Sequence, residues 1–391
     1  MSNRTSKATL LLFAAWAIAA AHTAAAATWQ IESVDNGAVA KFSSMRIDKD
    51  GNVHVAYVLQ DGTFELKYAF WDRRLQKWFT MIVDKSVGMC SLALDSKQHP
   101  YISYADYGSG VGAQLRRAYW DGVSWQKEAI QLDSEVIAYY NSITFDHDDN
   151  PSITFYEYRG PKDSDISVRL RNVMWNGKFW EVRTVDPSGQ SGKFNAMVSD
   201  AQGRQHIAYA NVGAGDLRYA QWDGREWTRE MVESQRQAGG YVGFSVAIAV
   251  DQSGVPHIGY SDVTNRLIKY AVRRNGKWQI EVADTVGAVA YPDRNSIALD
   301  EESEPYISYY DAGRGALKLA FHAGNRWLAG VVDGNNAGFT SSVQIYRGEI
   351  WISYADGMGG LKVARTELRS LRQAASTVVQ KPEPNDPKQA R

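Results

Sequence analysis

Charged side chains recur along this chain at spacings that could build an ionic site. A cation stands at one repeated position, as Lys67, Arg116, Arg171, Arg218, Lys269, Lys318 and Lys362. Upstream of six of these lies a polar partner, Asp106, Glu157, Asn211, Asp262, Asp311 or Asp356, with Leu59 as the exception. Such a ring of pairs could recognise an ionic ligand. Its repetition favours a register device, because catalysis needs one asymmetric constellation. His54, His206 and His257 also share one repeat position, where other copies carry Tyr101, Tyr306 or Trp351. A position that accepts His, Tyr and Trp asks for a large, partly polar ring, and three histidines in separate repeats do not make one metal site. The acidic turns at Asp48–Asn52 and Asp146–Asn150 space acids as calcium loops do but lack the later bidentate Glu. Neither a metal, nor a cofactor, nor a catalytic group is expected.

Aromatic and amide residues form a second set. Phe42, Tyr139-Tyr140-Asn141, Phe194-Asn195, Tyr241 to Phe244, Tyr291 to Asn295 and Phe339 fall just before apolar stretches, where connections are expected. Rings alternating with Asn and Ser suit stacking on sugars and bonding hydroxyls. The candidate ligand-binding residues are therefore Tyr140, Asn141, Phe194, Asn195, Tyr241, Tyr291, Arg294 and Asn295, with Asp106, Asp262, Asp311 and Asp356 close by. Arg294 is the cation of this layer without a repeat equivalent, which makes it the candidate for an anionic group.

The elements that position these residues follow from a repeat. An aromatic ends the core of the second strand at Tyr57, Tyr104, Phe155, Tyr209, Tyr260, Tyr309 and Tyr354. Nine residues earlier stands Asp48, Asp95, Asp146, Asp200, Asp251 or Asp300, and the last copy carries Tyr346 instead. Each unit reads as four short strands, the pattern of a propeller blade. Two before the anchor the residue is Val or Ile and one before it is small, so period-2 alternation gives each blade a bulky face and a small face. Six fourth strands run from a Trp to an acid: Trp78 to Asp84, Trp125 to Asp133, Trp180 to Asp186, Trp227 to Glu233, Trp278 to Asp284 and Trp327 to Asp333. The seventh copy lacks one, whereas Trp29 to Asp35, WQIESVD, matches WQIEVAD at Trp278 to Asp284. The expectation is an all-β, seven-bladed β-propeller whose last blade is completed by the N-terminal strand. The aromatic residues then gather on its loop face, either as a binding surface or as a plug for the central channel.

Residues 1–27 read as a signal peptide: Arg4 and Lys7, an apolar run from Ala8 to Ala21, and small residues from Ala24 to Ala27. The run is shorter than the roughly 20 residues that a membrane span needs. Periplasmic or secreted localisation follows, with membrane association only through a retained leader or a partner. Cys90, placed in the first blade-to-blade connection, is the single cysteine, so no internal disulfide can form. Loss of the leader takes the formal charge from −1 to −3, far from the basic excess of a nucleic-acid binder. Residues 28–368 read as the propeller and 369–391 as a disordered tail without aromatics.

The unit SxALDxxGxPxISYYD followed by LKYAxWDGxxW resembles the β-propeller repeats of secreted bacterial and archaeal surface proteins, loosely grouped with sialidase-type repeats. Sialidases carry Asp-box turns, Ser-x-Asp-x-Gly-x-Thr-Trp, between third and fourth strands; here a shorter Asp-Gly-x-x-Trp stands at Asp121–Trp125 and Asp223–Trp227. The arginine triad and Tyr/Glu pair of sialidase chemistry have no assignable counterparts. The leading expectation is an exported, non-catalytic propeller that binds a glycan or a protein partner on its loop face. The alternatives are an enzyme on acidic polysaccharides, a lyase or glycosidase working through Tyr140 or Tyr291 near Arg294, and a structural subunit of an envelope complex.

Overall fold

The computed structural model of the protein describes residues 28–36, 38–108, 113–132, 136–159, 168–234, 240–289, 294–357 and 359–379. The proposed leader and Asp133 lie outside these. Seven four-stranded antiparallel sheets form a ring, and in the seventh the strand Gln30–Asp35 pairs with Leu361–Glu367 as its outermost member. The first strand of each blade lines the centre, packing on the first strands of its neighbours. The alternation read from sequence sets the packing between sheets. Ala56 of blade 1 packs with Ile102 of blade 2, Ala208 of blade 4 with Ile258 of blade 5, and a Cβ added to Gly259 would sit 3.4 Å from Ile307 of blade 6.

Three polar devices repeat at the seams. Near the channel, the first strand is a sheet edge with unpaired N–H groups, and a serine of the preceding blade accepts from one of them. The pairs are Ser44 with Leu92, Ser91 with Ile143, Ser142 with Met197, Ser296 with Val343 and, across the closure, Ser342 with Met45, at 3.0 to 3.3 Å. Ala196 and Ala247 hold that position in blades 4 and 5. Farther out, in six seams the acid ending the fourth strand accepts the anchor tyrosine of the next blade. Tyr57 donates to Asp35, Tyr104 to Asp84, Tyr209 to Asp186, Tyr260 to Glu233, Tyr309 to Asp284 and Tyr354 to Asp333. Burial and the facing carboxylate push all six phenols above their ordinary pKa. In five of these seams the repeated cation joins the same acid: Lys67 on Asp35, Arg218 on Asp186, Lys269 on Glu233, Lys318 on Asp284 and Lys362 on Asp333. At the rim, the fourth-strand Trp donates its indole N–H to a Glu of the preceding blade: Trp78 to Glu32, Trp180 to Glu128, Trp278 to Glu230 and Trp327 to Glu281. Glu32 and Asp35 bring both acids to the closing seam, so it carries the same chemistry as the others.

The repeated Asp nine residues before the anchor caps the hairpin between first and second strands. Its Oδ1 accepts two backbone N–H groups, as in Asp48 with Asp50 and Asn52, or Asp300 with Glu302 and Glu304. In three blades the free oxygen faces a buried histidine whose Nδ1 lies 2.6 Å from a tyrosine hydroxyl: His54 with Tyr68, His206 with Tyr219 and His257 with Tyr270. His54 and His206 bring Nε2 to Asp48 and Asp200 at 3.3 and 3.1 Å, whereas His257 stands 3.7 Å from Asp251.

Two expectations need correcting. Cys90 lies in the first strand of blade 2, Val87–Leu94, not in a connection, and is fully buried. The stretch expected to be disordered from residue 369 opens with a helix, Leu368–Val379. Its composition of Leu, Arg, Gln and Ala favours helix, and Leu368 and Leu371, three apart, enter the core of blades 6 and 7. Arg372 ties it to Asp300 at 2.5 Å and Glu302 at 3.2 Å. Residues 380–391 lie outside the described residues.

Two outcomes test these devices. Among the described residues Lys67 in the closing seam has Asp35 as its one carboxylate within ion-pair reach, because Leu59 stands where most other blades carry an acid. Lys362 would keep Asp356 at 2.7 Å after loss of Asp333. Asp35→Asn is expected to cost about 2–4 kcal/mol in urea unfolding, the range for one lost partner of a partly buried pair, and clearly more than Asp333→Asn; equal losses would refute the shared-acid account. For His257, burial pushes the imidazole down to about 4. Its neutral form is the folded one, so its contribution is complete above about 6.5 and is lost as pH falls from there toward 4, by at most roughly 3 kcal/mol. His257→Gln should flatten that limb of a stability-versus-pH curve, and an unchanged slope would count against the assignment.

Candidate functional site

The loop face is built where the turn after each second strand meets the preceding connection. Backbone bonds join them: Tyr107 N–H to Ser86 O, Val212 to Gln190, Ala312 to Ala288 and Gly357 to Asn336. The acids two residues past the anchors hold these turns from beneath. Asp106 accepts from Gly108 N–H and from Arg116, both at 2.7 Å. Asp262 accepts from Asn265 N–H at 3.0 Å and pairs with Lys269 at 3.1 Å. Asp311 accepts from Gly287 N–H at 3.0 Å, and Asp356 pairs with Lys362 at 2.7 Å. All four are buried. Lys269, Lys318 and Lys362 thus each sit between two acids, and the pairs expected from sequence are loop anchors.

Phe42, Tyr139-Tyr140-Asn141, Phe194-Asn195, Phe244 and Phe339 sit inside first strands instead of the connections, because those strands continue past a bulge, whereas Tyr241 and Asn295 lie just before theirs. Pairing slips around Phe42, around Tyr140-Asn141 and around Phe194-Asn195. At these bulges Phe42, Tyr140, Phe194 and Ser245 take φ of 49° to 53°, the left-handed region that non-glycine residues seldom occupy. The turned side chains converge over the channel. Tyr140 and Phe194 rings lie 5.1 Å apart and Phe194 and Phe244 rings 4.9 Å apart, with Met89 and Phe42 in the same cluster. Tyr140 and Phe194 are only 7% and 5% exposed. The amides beside them are spent on the seams. Asn141 accepts from Ser103 and donates to Met89 O, Asn195 accepts from Thr154 and donates to Gly192 O, and Asn295 donates to Ser261. Tyr241 stands out at 49% exposure, beside Phe244. Tyr291 lies outside the described residues.

Sequence reasoning missed Tyr107, 43% exposed on the same face with its ring 6.3 Å from that of Tyr139. Its signal was its place directly after the loop acid Asp106. Gly88 makes room for it, since a Cβ there would come within 2.2 Å of the Tyr107 ring. Partly exposed Phe42, Tyr139, Tyr156 and Phe244 pack on the Tyr140–Phe194 core, forming an aromatic floor on the loop face with Tyr107 and Tyr241 exposed beside it.

Beneath that floor the channel encloses about 350 Å³. Arg294 enters from blade 6 and reaches across to blade 3, where its guanidinium donates to Asn141 O at 3.4 Å. Arg46, from blade 1, lines the same space lower down and donates to Met45 O at 2.8 Å. Burial lowers the pKa of both guanidiniums, that of Arg46 to about 10. Sequence reasoning passed over Arg46, although the other blades carry Ala93, Thr144, Val198, Ala249, Ala298 and Gln344 at its position. On the hairpin face the channel shares Val250, Leu299 and Ile345 with a cleft of about 1170 Å³ bounded by the terminal helix.

Among the described residues, no three His, Cys, Asp or Glu side chains converge to hold a metal ion. No protein-family model matches the chain, and no curated protein does. Solved structures match in fold. An ulvan lyase of polysaccharide lyase family PL25, bound to -[GlcA(1-4)Rha3S]-, has a TM-score of 0.55 at 11% identity, covering 88% of this chain and 98% of its own. The polysaccharide lyase Uly1 has a TM-score of 0.53 at 11% identity, covering 91% and 94%. The Hadza microbial sialidase Hz136 has a TM-score of 0.51 at 10% identity, covering 81% and 76%. At these identities the likeness establishes the fold alone, and the chain is a seven-bladed β-propeller.

Proposed function

We propose that the protein is an exported, non-catalytic propeller that binds a glycan on the aromatic floor of its loop face. The observation that carries this reading is the floor itself, where Phe42, Tyr139, Tyr156 and Phe244 lie partly exposed between the projecting rings of Tyr107 and Tyr241. Sugar rings present apolar faces that stack on such surfaces while their hydroxyls reach rim polar groups. That solved propellers of similar fold are described as polysaccharide lyases and as a sialidase supports a saccharide as the ligand class. A purely binding role is supported by the state of the candidate acids: Asp106, Asp262 and Asp356 are each neutralised by a cation of their own blade. The six anchor phenols are held protonated by burial beside carboxylates, the opposite of what a tyrosine base requires.

Residues 28–391 incubated with neutral and acidic glycans should bind at least one of them without releasing reducing ends or unsaturated products. Tyr241→Ala and Tyr107→Ala, both at exposed rings, should each weaken that binding about fivefold or more while leaving unfolding unchanged. Product formation would replace this reading with the enzymatic one.

A further inference from the structure

The central channel differs chemically from the aromatic floor above it. Among the described residues no carboxylate lines it, whereas two guanidiniums, Arg46 and Arg294, do. Neither forms an ion pair among the described residues, and each spends one N–H on a backbone carbonyl. Between them runs a belt of hydroxyls. Ser44, Ser91, Ser142, Ser296 and Ser342 all line the cavity. Each accepts a backbone N–H of the next blade, which occupies a lone pair and leaves the hydroxyl proton to donate. The polar lining is thus rich in donors and carries an uncompensated positive charge. Two half-buried guanidiniums facing one small space repel each other and lose part of the hydration they have in water. A guest with several acceptor oxygens and negative charge would reverse both penalties.

We infer that the channel is a binding site for a small oxyanion, held between Arg294 beneath the aromatic floor and Arg46 nearer the hairpin face. Entry is from the hairpin face, through the shared opening at Val250, Leu299 and Ile345. The site is distinct from the glycan floor, of whose rings Phe194 alone lines the cavity among the described residues. Its chemistry fits sulfate, phosphate or a small carboxylate, and the cavity of about 350 Å³ excludes a polysaccharide chain.

Sulfate is the probe. It would be titrated into residues 28–391 at constant ionic strength, with heat of binding and thermal unfolding both followed. Wild type and Arg225→Gln, a change in an exposed hairpin, should show saturable binding and a rise in Tm. Arg46→Gln and Arg294→Gln should each bind sulfate about tenfold more weakly or worse. In buffer free of oxyanions both variants should melt no lower than wild type, because each removes an uncompensated, half-buried charge. The inference is overturned if wild type shows no saturable sulfate binding into the tens of millimolar. It is equally overturned if both channel variants bind as wild type does, or if both melt lower without the anion, which would make the arginines structural props.

Discussion

The ring depends on a carboxylate that bridges neighbouring blades in six of its seams among the described residues. The acid that ends a fourth strand reaches the next blade, takes its anchor tyrosine, and in most seams also takes that blade's cation. Apolar packing between a bulky and a small face supplies most of the burial but is tolerant of sliding, because one Ile on one Ala looks much like another. A buried carboxylate without both partners is costly, so it fixes the angle and height at which neighbours meet. Blade 3, whose anchor is Phe155, has no hydroxyl to donate, and there Arg171 turns to Glu157 of its own blade at 2.7 Å.

The same shared acid explains why the loop face cannot be read as a field of free charges. Asp106, Asp262, Asp311 and Asp356 hold the cation from the other side and clasp the turns above. What remains to meet a ligand is aromatic. The bulges that turn Tyr140 and Phe194 over the channel put backbone strain at the same height in several blades, and the resulting floor is a stacking surface distinct from the donor-lined well.

The repeat made the fold legible because seven copies act as an internal alignment. Strand count, the Trp29–Asp35 closure and the bulky-on-small packing all follow from it. The same alignment held a pairing that went unread. The three blades with His54, His206 and His257 are those with Tyr68, Tyr219 and Tyr270 directly after the cation, and the rings meet at 2.6 Å. The site was less legible for a physical reason. A bulge breaks the period-2 pattern, so Tyr140 and Asn141 looked like connection while lying within a strand. The terminal helix was lost because two leucines three apart are a weak signal without the core that receives them.

Closure by the strand Gln30–Asp35 sets an order of events for the growing chain. The first strand made has no partner until Leu361–Glu367 has emerged more than three hundred residues later. Blades 1 to 6 can assemble from local hairpins as they appear, but the ring stays an open arc with a sticky edge at each end. A chain stopped short of Leu361 would leave Asp35 and Glu32 presented to whatever edge came first, including that of a second unfinished copy, and the device that closes the ring would then link one molecule to the next.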